Sequence, residues 1–118
     1  MFGLTTTMQY YLCTGATDMR KSFYTLSGIV TNIMGKDIRS GNVFVFINKK
    51  RTTIKLLRAE QGGLVLYIKK LEAGIYPTPK YDEQSKSYTL TYAELVMIIE
   101  GIKAEKITNL KRLKILTW

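Results

Sequence analysis

Seven cations crowd into the stretch from Gly41 to Gly74: Lys49, Lys50, Arg51, Lys55, Arg58, Lys69 and Lys70. The only acids there are Glu60 and Glu72. Ammonium and guanidinium groups at a surface neutralise phosphates, and an aromatic ring among them offers a base or sugar a stacking face. Tyr67 stands between Lys55 and Lys69 in chain order and supplies that ring. Arg20 and Lys21 make a second group. They fall in the first turn of an expected helix, where free N–H groups and the backbone dipole would join them in holding one phosphate. The candidate nucleic-acid-binding residues are therefore Arg20, Lys21, Lys49, Lys50, Arg51, Lys55, Tyr67 and Lys69. If about five of them neutralise phosphates, log K falls with log salt at a slope of roughly −4 to −5. The plain alternative is a solvated turn at 49–51 and a solvated pair at 20–21, offset by Asp18.

Other chemistries lack their parts. The chain has no histidine, so a histidine-based metal site is excluded. Its nine acids are scattered singly except Asp82-Glu83, whereas two-metal phosphoryl chemistry needs clustered carboxylates. No G-x-x-x-x-G-K-[ST] phosphate loop is present. Cys13 is the single cysteine; it lies in an apolar run, without a histidine to activate it, and reads as a buried thiol. No catalytic residue, metal or cofactor is expected, and the chain does not read as an enzyme.

Eighteen Lys and Arg against nine Asp and Glu give a net charge of +9, which favours a polyanionic partner, nucleic acid first. No run approaches the ~20 apolar residues that span a bilayer, and the N-terminus lacks the basic and apolar regions of a secretion signal. A cytoplasmic protein without a membrane partner is the expectation.

The elements that must position these residues follow from periodicity. The 118 residues form one domain, with a loosely held N-terminus at 1–7 and a basic, apolar tail at 104–118. Gln9 to Cys13 reads as a strand. Asp18, with Thr17 as competitor, caps a helix from Met19 to Met34 whose apolar residues recur at steps of four and three, and Gly35 ends it. Val43 to Ile47, Thr53 to Arg58 and Leu64 to Lys70 form an antiparallel meander, linked by a cationic turn and by AEQGG. Strand alternation turns Ile54, Leu56, Leu66 and Ile68 inward and Thr53, Lys55, Tyr67 and Lys69 outward, though Leu57 and Val65 break it. Pro77 and Pro79 make a loop, the polar run from Tyr81 to Lys86 reads as exposed, and Ser87 to Leu90 is a short strand. Thr91 and Glu94 form a capping box before an apolar helix carrying Leu95, Ile98 and Ile102. That helix fits a core position, with a homodimer interface as the alternative. The fold class is α+β: a mainly antiparallel sheet of four to five strands packed against two helices.

The ordered series Thr17-Asp18-Met19-Arg20-Lys21, then Val43-Phe44-Val45-Phe46 with Asn48-Lys49, then Ile54-Lys55-Leu56-Leu57, then Leu66-Tyr67 with Lys69-Lys70-Leu71-Glu72 and Gly74 carries a resemblance. Glu94-Leu95 and Glu100-Gly101-Ile102 extend it, so that it covers roughly residues 8 to 103. The chain resembles the TnpB family, the small accessory proteins encoded by the second open reading frame of insertion sequences of the sixty-six family. The resemblance implies a non-enzymatic role in transposition of a mobile element, beside a separate catalytic transposase. The transposase and another accessory protein of the same element are the partners that go with this role, and DNA is the partner to which the basic residues point. Three modes of action stand open: DNA binding through a basic sheet face and hairpin, protein–protein docking on the transposase or another accessory subunit without DNA contact, or RNA binding and regulation at the element's own transcript. Family members often close on a compact Lys/Arg-rich tail, whereas here apolar residues are mixed in.

Overall fold

The computed structural model describes residues 3–18, 20–82 and 84–101. Its elements are β1 (Tyr10–Cys13), α1 (Phe23–Asn32), β2 (Val43–Ile47), β3 (Thr53–Glu60), β4 (Gly63–Lys70), β5 (Ser87–Leu90) and α2 (Tyr92–Glu100). The strands form one sheet in the order β4-β3-β2-β1-β5. The meander is antiparallel, with Val45 opposite Leu56 and Leu57 opposite Leu66. Glu60 opposes Gly63, leaving Gln61-Gly62 as the turn, and Gly62 takes φ +87° as such a turn requires. β1 joins the sheet parallel to β2 and antiparallel to β5. One parallel pair therefore enters an otherwise antiparallel α+β sheet. Parallel neighbours cannot be joined by a hairpin, so α1 makes the crossover between them.

Both faces of this sheet are covered. Val43, Val45, Ile47, Ile54 and Leu56 pack beneath α2 with its Leu95, Ile98 and Ile99. Phe44, Phe46 and Leu57 pack beneath α1 with Leu26, Val30 and Met34. This explains the unbroken apolar run Val43–Ile47, all of it buried, and the buried Leu57 that breaks the expected alternation.

The capping box forms at α2. The Thr91 hydroxyl accepts from the Glu94 N–H at 3.0 Å, and the Glu94 carboxylate accepts from the Thr91 N–H at 2.9 Å. Gly101, φ +76°, closes the helix. The expected core position of α2 holds, while the expectations for Ile102 and for the tail at 104–118 lie outside the described residues.

Helix α1 starts later than expected, with Ser22 rather than Asp18 or Thr17 as N-cap. The preceding residues have other partners. The Thr17 N–H donates to the Ile47 carbonyl at 3.1 Å, carrying the chain on beside β2. The Asp18 carboxylate accepts from the Arg20 N–H at 2.9 Å, and the Lys21 N–H closes a turn on the Asp18 carbonyl. Local side-chain bonding of this kind competes with helix formation. Gly35, φ +68°, reverses the chain after α1, as its type foreshadowed.

The loop carrying Pro77 and Pro79 is not a loose excursion. Tyr76 is fully buried, its N–H donates to the Arg51 carbonyl at 2.7 Å, and its hydroxyl donates to the Lys69 carbonyl at 3.1 Å. Both prolines are buried beside it in sequence.

Candidate functional site

The outward-facing strip of Lys55, Tyr67 and Lys69 does not form. Lys55 stands opposite Ile68, on the side of the sheet that α1 covers. It is 5% exposed, and its Nζ donates to the Lys21 carbonyl at 2.7 Å. Tyr67 stands opposite Leu56 and packs against the core beneath α2. Lys69 stands opposite Ile54, on that same side, with Nζ 3.3 Å from the Ile99 carbonyl. That carbonyl lies in the last turn of α2, where the helix dipole favours a cation. The expected inward pair Leu66 and Ile68 splits from its role too, for Ile68 is 54% exposed. A period of two is not enough to decide which way a strand faces when both faces are apolar.

The helix N-terminal anion site is also absent in the form expected. Arg20 and Lys21 precede α1 instead of occupying its first turn. The Arg20 guanidinium pairs with Asp18 at 2.6 Å, and this pairing holds the Asp18 carboxyl well below the usual carboxylate range. Arg58 likewise meets Glu60 at 3.1 Å.

Positive charge collects instead at one end of the sheet. There β1 and β2 finish, β3 and β5 begin, and β4 finishes. Lys49, Lys50 and Arg51 occupy the β2–β3 turn at this end, with both lysines exposed. Asn48 builds that turn. Its carbonyl oxygen accepts from the Thr52 and Thr53 N–H groups at 2.8 and 3.0 Å, and its amide donates to the Thr52 hydroxyl at 3.0 Å. Arg51 takes φ +59°, and its carbonyl receives the Tyr76 N–H. An Asn directly after a strand is a turn signal, and in this chain it sets the shape of the cationic tip.

The segment after β1, Thr14 to Thr17, forms a ridge between two clefts. On the α1 side a cleft of about 530 Å³ is lined by Cys13, Ile29, Ile33, Lys21, Tyr81 and Lys86 together with the ridge itself. On the other side a smaller cleft of about 160 Å³ reaches Asn48, Lys49 and Arg51. The ridge is held from below. The Tyr81 hydroxyl donates to the Thr14 carbonyl at 2.6 Å, and the Thr14 hydroxyl donates to the Ser85 carbonyl at 2.6 Å. Tyr81 is therefore half-buried, a correction to the exposed run expected from Tyr81 to Lys86, while Lys86 itself is exposed. Neither residue belonged to the candidate set, because no local pattern links them to position 21.

Burial pushes the Cys13 thiol up, against opposing contacts from the Gly15 N–H and the Thr17 hydroxyl, so it is a poor nucleophile. Among the described residues no group of three His, Cys, Asp or Glu could hold a metal ion. No helix among them is long and apolar enough to cross a membrane.

The family model described as IS66 Orf2 like protein matches residues 8–109. The chain is also 26% identical over 95 residues to a protein named "Uncharacterized protein y4hO" of Sinorhizobium fredii (strain NBRC 101917 / NGR234), a span of 80% of this chain and 81% of that one. No solved structure gives a significant match. The matched span runs from the residue before Gln9 through β1, the ridge, both clefts and α2, so the cationic end lies within it. The chain belongs to the IS66 Orf2-like family, TnpB, whose members are accessory to the transposition of insertion sequences.

Proposed function

We propose that this chain serves transposition by holding DNA through backbone phosphates at the cationic end of its sheet. The observation that carries the reading is the pair Lys49 and Lys50, exposed on a turn that Asn48 pins, beside clefts rimmed by Lys21, Arg51 and Lys86. Phosphate contacts of this kind position a protein without reading base sequence. Lys55 and Lys69 act within the fold, and Arg20 shares its charge with Asp18, so the phosphate contacts fall to Lys21, Lys49, Lys50, Arg51 and Lys86. The test is a titration against element-end and unrelated duplex DNA at two salt concentrations. Binding that weakens steeply with salt and scarcely distinguishes the two duplexes supports the reading. Salt-insensitive binding, or none, refutes it.

A second reading has its own observation. Tyr24 is 90% exposed on α1 and Phe23 beside it 38%, an aromatic surface left open among the described residues. Such residues anchor protein contacts, and the transposase of the element is the partner this reading names. A complex formed without DNA and lost in Tyr24→Glu supports it. A complex unchanged by that substitution speaks against it.

A further inference from the structure

The larger cleft differs in kind from the cationic turn. Its lining includes the apolar side chains of Cys13, Ile29 of α1 and Ile33 just past that helix, and Ile33 is 53% exposed. Its rim carries two cations from separate parts of the chain, Lys21 before α1 and Lys86 before β5, with the Tyr81 ring in the wall. The acid just after the ridge, Asp18, is paired with Arg20. Its volume, about 530 Å³, lies within the roughly 300–1,000 Å³ typical of small-ligand sites.

A duplex presents phosphates on a convex, water-covered surface, for which an apolar lining in a recess has no use. A nucleotide pulled out of its stack presents a flat apolar face and a phosphate together. Single-stranded nucleic acid is held in this way, by cations that follow the backbone and by rings or apolar side chains that take the bases. We propose that this cleft accepts one unstacked nucleotide of single-stranded DNA, its base against Ile29, Ile33 and Tyr81 and its phosphate between Lys21 and Lys86. The smaller cleft across the ridge, with Lys49 and Arg51, continues the path for the neighbouring phosphate. The inference rests on the DNA-binding reading above and adds the strand state to it: the chain engages unpaired DNA, such as a frayed or processed end.

The test is fluorescence anisotropy with a labelled single strand and a blunt duplex of the same sequence and length, at matched salt. The single strand should bind roughly tenfold more tightly, the size expected when one base gains a stacking surface. Ile33→Glu places a carboxylate in the cleft lining from the exposed position just after α1 and should abolish that preference. Ile68→Glu, the same charge change at an exposed strand position outside the cleft, should keep it. Lys86→Glu, at an exposed bend, should weaken the single strand more than the duplex and checks the cleft independently of α1. Equal affinity for the two forms, or a preference that survives both cleft substitutions, overturns the inference. If the duplex still binds in a salt-dependent way, the DNA reading stands without it; if neither form binds, both fall.

Discussion

The Nζ of Lys55 on β3 donates to the main-chain carbonyl of Lys21, 34 positions earlier, at 2.7 Å. The bond ties the centre of the sheet to the segment that enters α1, and it makes a lysine part of the core beneath that helix. A hydrogen bond from a charged donor contributes about 1.5–3 kcal/mol net. Lys55→Met keeps the length of the side chain but leaves the carbonyl without this donor, so unfolding in urea should show a loss of roughly 1–3 kcal/mol. Lys49→Met, on the exposed turn, should stay within about 0.5 kcal/mol of the parent. Equal stability of the two variants would contradict the structural role given to Lys55.

The same distinction predicts the response to salt. Reversing Lys49 and Lys50 together to Glu should reduce the magnitude of the salt slope for duplex DNA by about 1.8 or more, since each phosphate contact contributes roughly 0.9. Lys69→Met should leave the slope unchanged, because the Lys69 ammonium is directed to the Ile99 carbonyl. A slope that responds to Lys69 and not to the turn would place the phosphates elsewhere.

Thr91 and Glu94 close the N-terminus of α2 reciprocally. Thr91→Ala should lower stability by about 1 kcal/mol, within a range of roughly 0.5–2, and Thr91→Asn should recover most of it. Because α2 covers one face of the sheet, the loss should appear in the global unfolding transition and not as local fraying alone.

Burial, with Tyr67 adding to it, pushes the Tyr76 hydroxyl up to about 12. The unfolded chain releases this proton near pH 10, so between those values the native state binds more protons. Its contribution to stability is complete below about pH 10 and is lost as pH rises through 12. Tyr76→Phe should flatten the alkaline fall of stability followed by denaturant melts from about pH 8 to 11. Tyr10 and Tyr88 are raised as well, so part of the fall should remain.

Local signals were legible wherever the competing choices were local. Thr91 with Glu94, the apolar periodicity of both helices, the glycines at 35 and 62 and the three strands of the meander follow from short-range sterics and hydrogen bonding. The start of α1 was not legible, because the main-chain partner of Thr17 is the carbonyl of Ile47, thirty positions away, and only the assembled sheet supplies it. Tyr81 and Lys86 escaped the candidate set for the same reason: β5 and the ridge meet only when β1 pairs between β2 and β5.

By itself the sequence determined an excess of positive charge, the absence of histidine, the identity of the elements and the family pattern in their order, since these depend on residue type and spacing alone. Only the tertiary structure decided where the charge lies. Packing helices on opposite faces buried Lys55 under one and turned Lys69 toward the end of the other. Strand periodicity alternates side chains but does not choose their faces; the choice came from which layer each face meets. Lys49 and Lys50 stayed exposed at the end of the sheet, where the chain leaves its strands and lysines can stay hydrated.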